Sequence, residues 1–122
     1  MKLLIVDDSS VIRSRIARVS GDSNLPELQI LGLAKNGQEA IRICKVTLPD
    51  LVTMDLTMPE MDGVSCIQEL IKQHPKINIL VISALSDKAT AIQALKLGAR
   101  GFLNKPFTDK QLIDALLEFV DQ

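Results

Sequence analysis

Runs of four to seven apolar, largely β-branched residues alternate along this chain with segments of helical period, an alternation that leaves few folds open. Parallel strands need long crossover connections, and helices supply them, so the pattern implies a parallel sheet covered by helices. The expected strands are Leu3 to Val6, Gln29 to Ala34, Leu51 to Met54, Asn78 to Ile82 and Gly101 to Leu103. Three of them contain LLIV, LVTM and ILVI, almost wholly apolar, as central parallel strands buried on both faces should be.

Helix starts fall where capping chemistry allows them. Ser9 or Ser10 caps the first, Asn36 the second, Asp62 the third, Ser86 or Asp87 the fourth, and Thr108 the fifth. Val64, Ile67, Leu70 and Ile71 recur at helical spacing in the third, which Pro75 ends near Gln73. In the fifth, Leu112, Ala115, Leu116 and Phe119 form the inward stripe, and Gly98 closes the fourth. Ser20 to Leu28 is the one sizeable irregular loop. With 122 residues, the chain reads as a single βα-repeating domain spanning 1–122.

Composition narrows the partners. A 47% hydrophobic, 24% charged chain is an ordinary globular one, and a net charge of −1 argues against duplex nucleic acid, which demands a basic surface. The apolar run at the N-terminus is too short for a signal-peptide core or membrane insertion, so the expected location is cytoplasmic. Cys44 and Cys66 lie in apolar helical patterns without metal-ligand spacing and read as buried reduced thiols.

Open parallel sheets place their sites beyond the strand carboxyl ends. Here LLIVDD ends at Asp7 and Asp8, DLVTMD at Asp55, INILVIS at Ser83 and GFLNK at Lys105, so residues from most of the chain meet at one edge. Three converging carboxylates repel one another unless a cation compensates, and a hard divalent ion taking oxygen ligands makes Mg2+ the natural occupant. The Thr57 backbone carbonyl, in the loop after Asp55, is placed to complete its coordination.

Asp55, held by a buried strand and adjacent to metal, is a plausible nucleophile toward phosphorus. Lys105 and Ser83 supply the fixed cation and the donor that phosphoryl transfer requires. Pro106 restricts Lys105 to extended backbone but leaves the cis or trans state of the bond open. No P-loop, dinucleotide fingerprint, HExxH or GxSxG occurs. His74 reads as a helix-end residue, and Arg13, Arg15 and Arg18 as a solvated helix face.

The segments LLIVDDS, DLVTMDLTMPEMDG, ILVISA and GARGFLNKPF together resemble the receiver domain of bacterial two-component response regulators, from residue 2 to about residue 120. The resemblance implies a flavodoxin-like (βα)5 fold, with the sheet in order 2-1-3-4-5. It implies Mg2+ at Asp7 and Asp8 and a histidine-kinase partner that phosphorylates Asp55. Ser83 then senses the phosphoryl group and Lys105 contacts it. With no output domain after Gln122, the chain is most similar to stand-alone CheY-like regulators, which act by docking on another protein, in chemotaxis among other pathways.

The expected docking surface is the face of the fourth helix, fifth strand and fifth helix. The oligomeric alternatives are a monomer and a phosphorylation-dependent dimer. Two departures stand out. A tyrosine common in the family on the fifth strand is Phe102 here, so a readout there has no hydroxyl. The family positions that influence attack by water are Thr57 and Leu85, which implies slow self-dephosphorylation. The alternatives are a small Mg2+-dependent phosphohydrolase using Asp55 for turnover, and a non-phosphorylated binding module on the same scaffold.

Overall fold

Each apolar run becomes a strand and each periodic segment a helix in the computed structural model, which describes residues 1–120. The order is β1 (Lys2–Val6), α1 (Ser10–Ser20), β2 (Gln29–Ala34), α2 (Gly37–Val46), β3 (Leu51–Met54), α3 (Gly63–Gln73), β4 (Asn78–Ala84), α4 (Lys88–Leu97), β5 (Gly101–Lys105) and α5 (Asp109–Val120). A 3-10 turn, Leu85–Asp87, stands between β4 and α4. All strand pairings are parallel and the sheet runs β2-β1-β3-β4-β5, as expected for this topology.

β4 and β5 both run two residues beyond their apolar stretches. Ser83 pairs with Asn104 and Ala84 with Lys105, because backbone donors and acceptors are satisfied by the ladder whatever the side chain. Hydropathy marked where the apolar run ends, and pairing sets where the strand ends. Ser83 is therefore held inside a strand rather than in the following loop.

The caps follow side-chain chemistry. Ser9 Oγ accepts from the Ile12 amide at 3.3 Å, Asn36 Oδ1 from Glu39 at 2.9 Å, and Asp62 Oδ1 from Ser65 at 2.8 Å. Thr108 and Gln111 satisfy each other's amides in a reciprocal box at 3.1 and 2.8 Å. The fourth helix differs: the 3-10 turn precedes it, and Asp87 makes no side-chain cap bond. Gly98 ends that helix at φ 128°, a left-handed backbone that a side chain would strain.

The sheet separates two apolar layers. On one side Val6, Val52, Ile67 and Leu70 pack with Ala91 and Ala94 of α4. On the other, Leu3, Ile5 and Ile16 pack with Leu112, Leu116 and Phe119 of α5. Leu112 and Leu116 are fully buried, each side chain contributing about 1.5–3 kcal/mol to the hold of α5. Cys44 and Cys66 are free and buried, and burial pushes their thiols up to about 11 and about 12. No helix among the described residues is long and apolar enough to cross a membrane.

Candidate functional site

The carboxyl edge of the sheet is where the backbone pins its acidic side chains most firmly. The Asp7 amide donates to the Ala34 carbonyl at 3.0 Å and the Asp55 amide to the Val6 carbonyl at 2.9 Å, so the ladder continues one residue past β1 and β3. Both carboxylates are nearly sealed from solvent, at 1% and 5% exposure, while Asp8 is exposed at the rim. Oxygens of Asp7, Asp8 and Asp55 all lie within 4.8 Å of one another.

Lys105, the last residue of β5, reaches across this cluster. Its Nζ donates to Asp7 Oδ2 at 2.8 Å and lies 3.5 Å from Asp55 Oδ1. Burial favours the neutral amine, but the bond to Asp7 and the charges of Asp55 and Asp7 outweigh it and raise Lys105 above its ordinary value. Lys105 stays charged. Asp55 is raised to about 7, first by burial and then by the Asp7 charge, against the opposing pull of Lys105 and of the Thr57 amide. One ammonium does not neutralise three carboxylates, and the excess negative charge adds to burial in raising Asp55.

That excess, with the donor set, fits a hard divalent cation. Such an ion takes oxygen ligands, and the three carboxylates offer oxygens that all lie within 4.8 Å of one another. Thr57 lies exposed on the lip; its amide approaches Asp55 Oδ1 at 3.4 Å and its Oγ1 donates to Asp87 Oδ2 at 3.2 Å. Ser83 is completely buried, and its Oγ has no hydrogen-bond partner among the described residues. A buried hydroxyl without a partner costs about 1–3 kcal/mol and is poised to accept one.

Gly63 closes the loop that follows Asp55. Its amide donates to the Leu56 carbonyl at 3.0 Å, and a Cβ there would stand 2.2 Å from the Asp55 carbonyl oxygen. Glu60 in the same loop takes φ 69°, a left-handed conformation unusual for a side-chain-bearing residue. The Lys105–Pro106 bond is cis. Phe102 is half-buried against the layer of α2, α3 and α4, and Leu85 is 64% exposed just beyond β4. Leu85 offers no polar atom.

Three residues make contacts that had no signal in the sequence. Arg13 Nη1 donates to the Asp7 carbonyl at 2.6 Å, Thr57 bonds Asp87, and Arg15 turns inward to Phe107 and Asp109 rather than lying on a solvated face. Helical spacing of the arginines carries no information about an acid 94 positions away. Arg18, 63% exposed, comes closest to the expected face.

A doubly wound 2-1-3-4-5 sheet with an acidic cluster and Lys105 at its carboxyl edge is the arrangement expected of a signalling receiver. The chain belongs to the response regulator receiver domain family, whose model matches residues 3–117. It is thus a phosphorylation-controlled switch of two-component signalling, not an enzyme in the main sense.

Among its relatives, the chemotaxis protein CheY of Thermotoga maritima is 39% identical over 115 residues, covering 94% of this chain and 93% of that protein. The response regulator domain of Thermotoga maritima CheB superposes with a TM-score of 0.83 at 31% identity, over 100% of this chain and 94% of that one. The CheX-CheY-BeF3-Mg2+ complex from Borrelia burgdorferi matches with a TM-score of 0.86 at 28% identity, over 97% of this chain and 87% of that one.

Proposed function

We propose that Asp55 is the phosphoacceptor of a single receiver unit spanning 1–122, that a histidine kinase is the donor, and that the loaded form docks on a downstream protein. The observation that carries this is the placement of Asp55 Oδ1 3.5 Å from the Lys105 ammonium, inside one cluster with Asp7 and Asp8. An Asp55 oxygen forms the new bond to phosphorus as the P–N bond of the donor phosphohistidine breaks, and the departing imidazole takes up a proton. Lys105 is positioned to hold a phosphoryl oxygen.

Ser83 Oγ, without a hydrogen-bond partner among the described residues, stands to gain from a new acceptor near Asp55. Asp7, Asp8, Asp55 and the Thr57 carbonyl would hold Mg2+, which when bound supplies neutralisation of the transferring group's charge. Ser83 and Lys105 lie on paired strands one rung apart, so contacts that each makes with a phosphoryl group bias one shared element.

Ile92 and Leu95 of α4, 46% and 41% exposed, support docking on the face of α4, β5 and α5, with Phe102 as its movable ring. Chemotaxis is the pathway suggested by the Thermotoga relative and the Borrelia complex. Cytoplasmic location and a monomer, or a phosphorylation-dependent dimer, belong to the same proposal.

Acetyl phosphate with Mg2+, followed by intact mass, tests the core of it. A single phosphoryl adduct is expected that vanishes with EDTA and in Asp55→Asn. It decays slowly, and faster in Leu85→Glu, since the leucine cannot orient water. Turnover of external phosphate esters would instead support a hydrolase, and no adduct from either acetyl phosphate or a kinase would support an inert module.

For the output side, Phe102→Ala is expected to weaken binding of the phosphorylated form to its target about tenfold, as loss of a buried aromatic contact does. Titration of the target with the phosphorylated variant reads this directly. Unchanged affinity would remove Phe102 from the readout.

A further inference from the structure

Arg15 grips the chain just past Lys105. Its Nη2 donates to the Phe107 carbonyl, its Nε to Asp109 Oδ1 at 3.2 Å, and its guanidinium carbon stands 4.5 Å from the centroid of the Phe107 ring. Phe107 is itself buried at 4% exposure. One planar fork therefore fixes the backbone, the ring and the first turn of α5, all within four residues of Lys105. On the same helix, Arg13 donates to the Asp7 carbonyl at 2.6 Å, and the Ser9 amide donates to Asp7 Oδ1 at 2.9 Å. The two partners of the 2.8 Å Lys105–Asp7 pair are thus both anchored from α1.

We propose that Arg15 is a positioning residue for Lys105. By holding the Phe107 carbonyl and ring against α1, it keeps the lysine ammonium between Asp7 and Asp55, acting through the β5–α5 connection without touching the reacting group. The proposal rests on Lys105 having the phosphoryl-binding role given above. A lysine at position 15 has a single charged head and cannot replace the fork, the stacking and the carbonyl bond together.

A double-mutant cycle on the full chain tests it, with adduct formation from acetyl phosphate at saturating Mg2+ followed by intact mass. The variants are Arg15→Met, which keeps an apolar stem against Phe107, Arg15→Lys, Lys105→Met, and Arg15→Met with Lys105→Met. Circular dichroism establishes that each is folded. Arg15→Met is expected to slow adduct formation about tenfold, the scale of a displaced contributing group. Arg15→Lys restores part of the rate, and the double variant is no slower than Lys105→Met alone.

A purely structural role would slow the Lys105→Met background as well, so additive effects overturn the proposal. It is equally overturned if Lys105→Met is slow and Arg15→Met is not. If Lys105→Met reacts as fast as the parent, the role given to Lys105 is wrong and the proposal falls with it.

Discussion

Asp55→Asn will melt at a higher temperature than the parent protein above pH 7 in EDTA, even though it abolishes the proposed chemistry. The cause is the carboxyl raised to about 7 by burial and the adjacent Asp7 charge. The folded state holds the Asp55 proton more tightly than the unfolded chain does. The associated stability is complete below the ordinary carboxylate value and is lost as pH rises through about 7. Asparagine carries no such charge.

A rise from 3.8 to about 7 corresponds to an upper limit of about 4 kcal/mol at ~1.4 kcal/mol per unit. Lys105 shares that load, and about 2 kcal/mol is the expected gain, an increase of roughly 5–10 °C in a domain of this size. Thermal melts from pH 5 to 9 should show the parent losing stability up to about pH 7 and levelling off above it, a loss that the variant lacks. Added Mg2+ should lift the parent more than the variant. Parallel pH curves for the two proteins would mean that folding does not raise the Asp55 carboxyl.

Gly63→Ala carries the second large effect, and its direction is the reverse. The new methyl would sit 2.2 Å from the Asp55 carbonyl oxygen and 2.6 Å from the Leu56 Cα, and neither is a flexible side-chain end that can swing aside. Either α3 retreats or the Asp55–Leu56 backbone moves, and overpacking of this kind costs about 1–3 kcal/mol, occasionally more. Backbone displacement at Asp55 also moves the proposed nucleophile, so the adduct rate should fall by about tenfold or more. Urea denaturation and intact-mass kinetics on the same sample measure both. By contrast, the methyl of Gly37→Ala would stand 2.9 Å from Met61 Cγ and 3.1 Å from the Met61 Cβ and carbonyl oxygen, a milder crowding, and its effects should be smaller. Equal losses at the two glycines would show that packing around Asp55 is not special.

Much of the fold was legible because strand burial and helix capping are local chemistry. LLIV, LVTM and ILVI announce central strands, and Asn36, Asp62 and Thr108 cap the helices assigned to them. Convergence of Asp7, Asp8, Asp55 and Lys105 followed from a rule about sheet edges, and the fold brings these four together. Legibility failed where partners are remote in the chain. Nothing around Arg15 points to Asp109, and nothing around Thr57 points to Asp87. The end of β4 was invisible for a related reason: its last two rungs are set by β5, not by the residues of β4 themselves.

Helices α4 and α5 are held to the sheet by different side chains. α5 is fastened by Leu112, Leu116 and Phe119, branched and aromatic side chains that lock into their neighbours, whereas the fully buried residues of α4 are the alanines Ala91 and Ala94. Sliding a helix held by methyl groups forfeits few contacts, at roughly 0.8 kcal/mol per carbon exposed, while displacing α5 would open cavities. The α1–α5 side is thus the stiff frame of the molecule and α4 its yielding wall. A small push from the sheet edge is spent on the helix with the weaker grip.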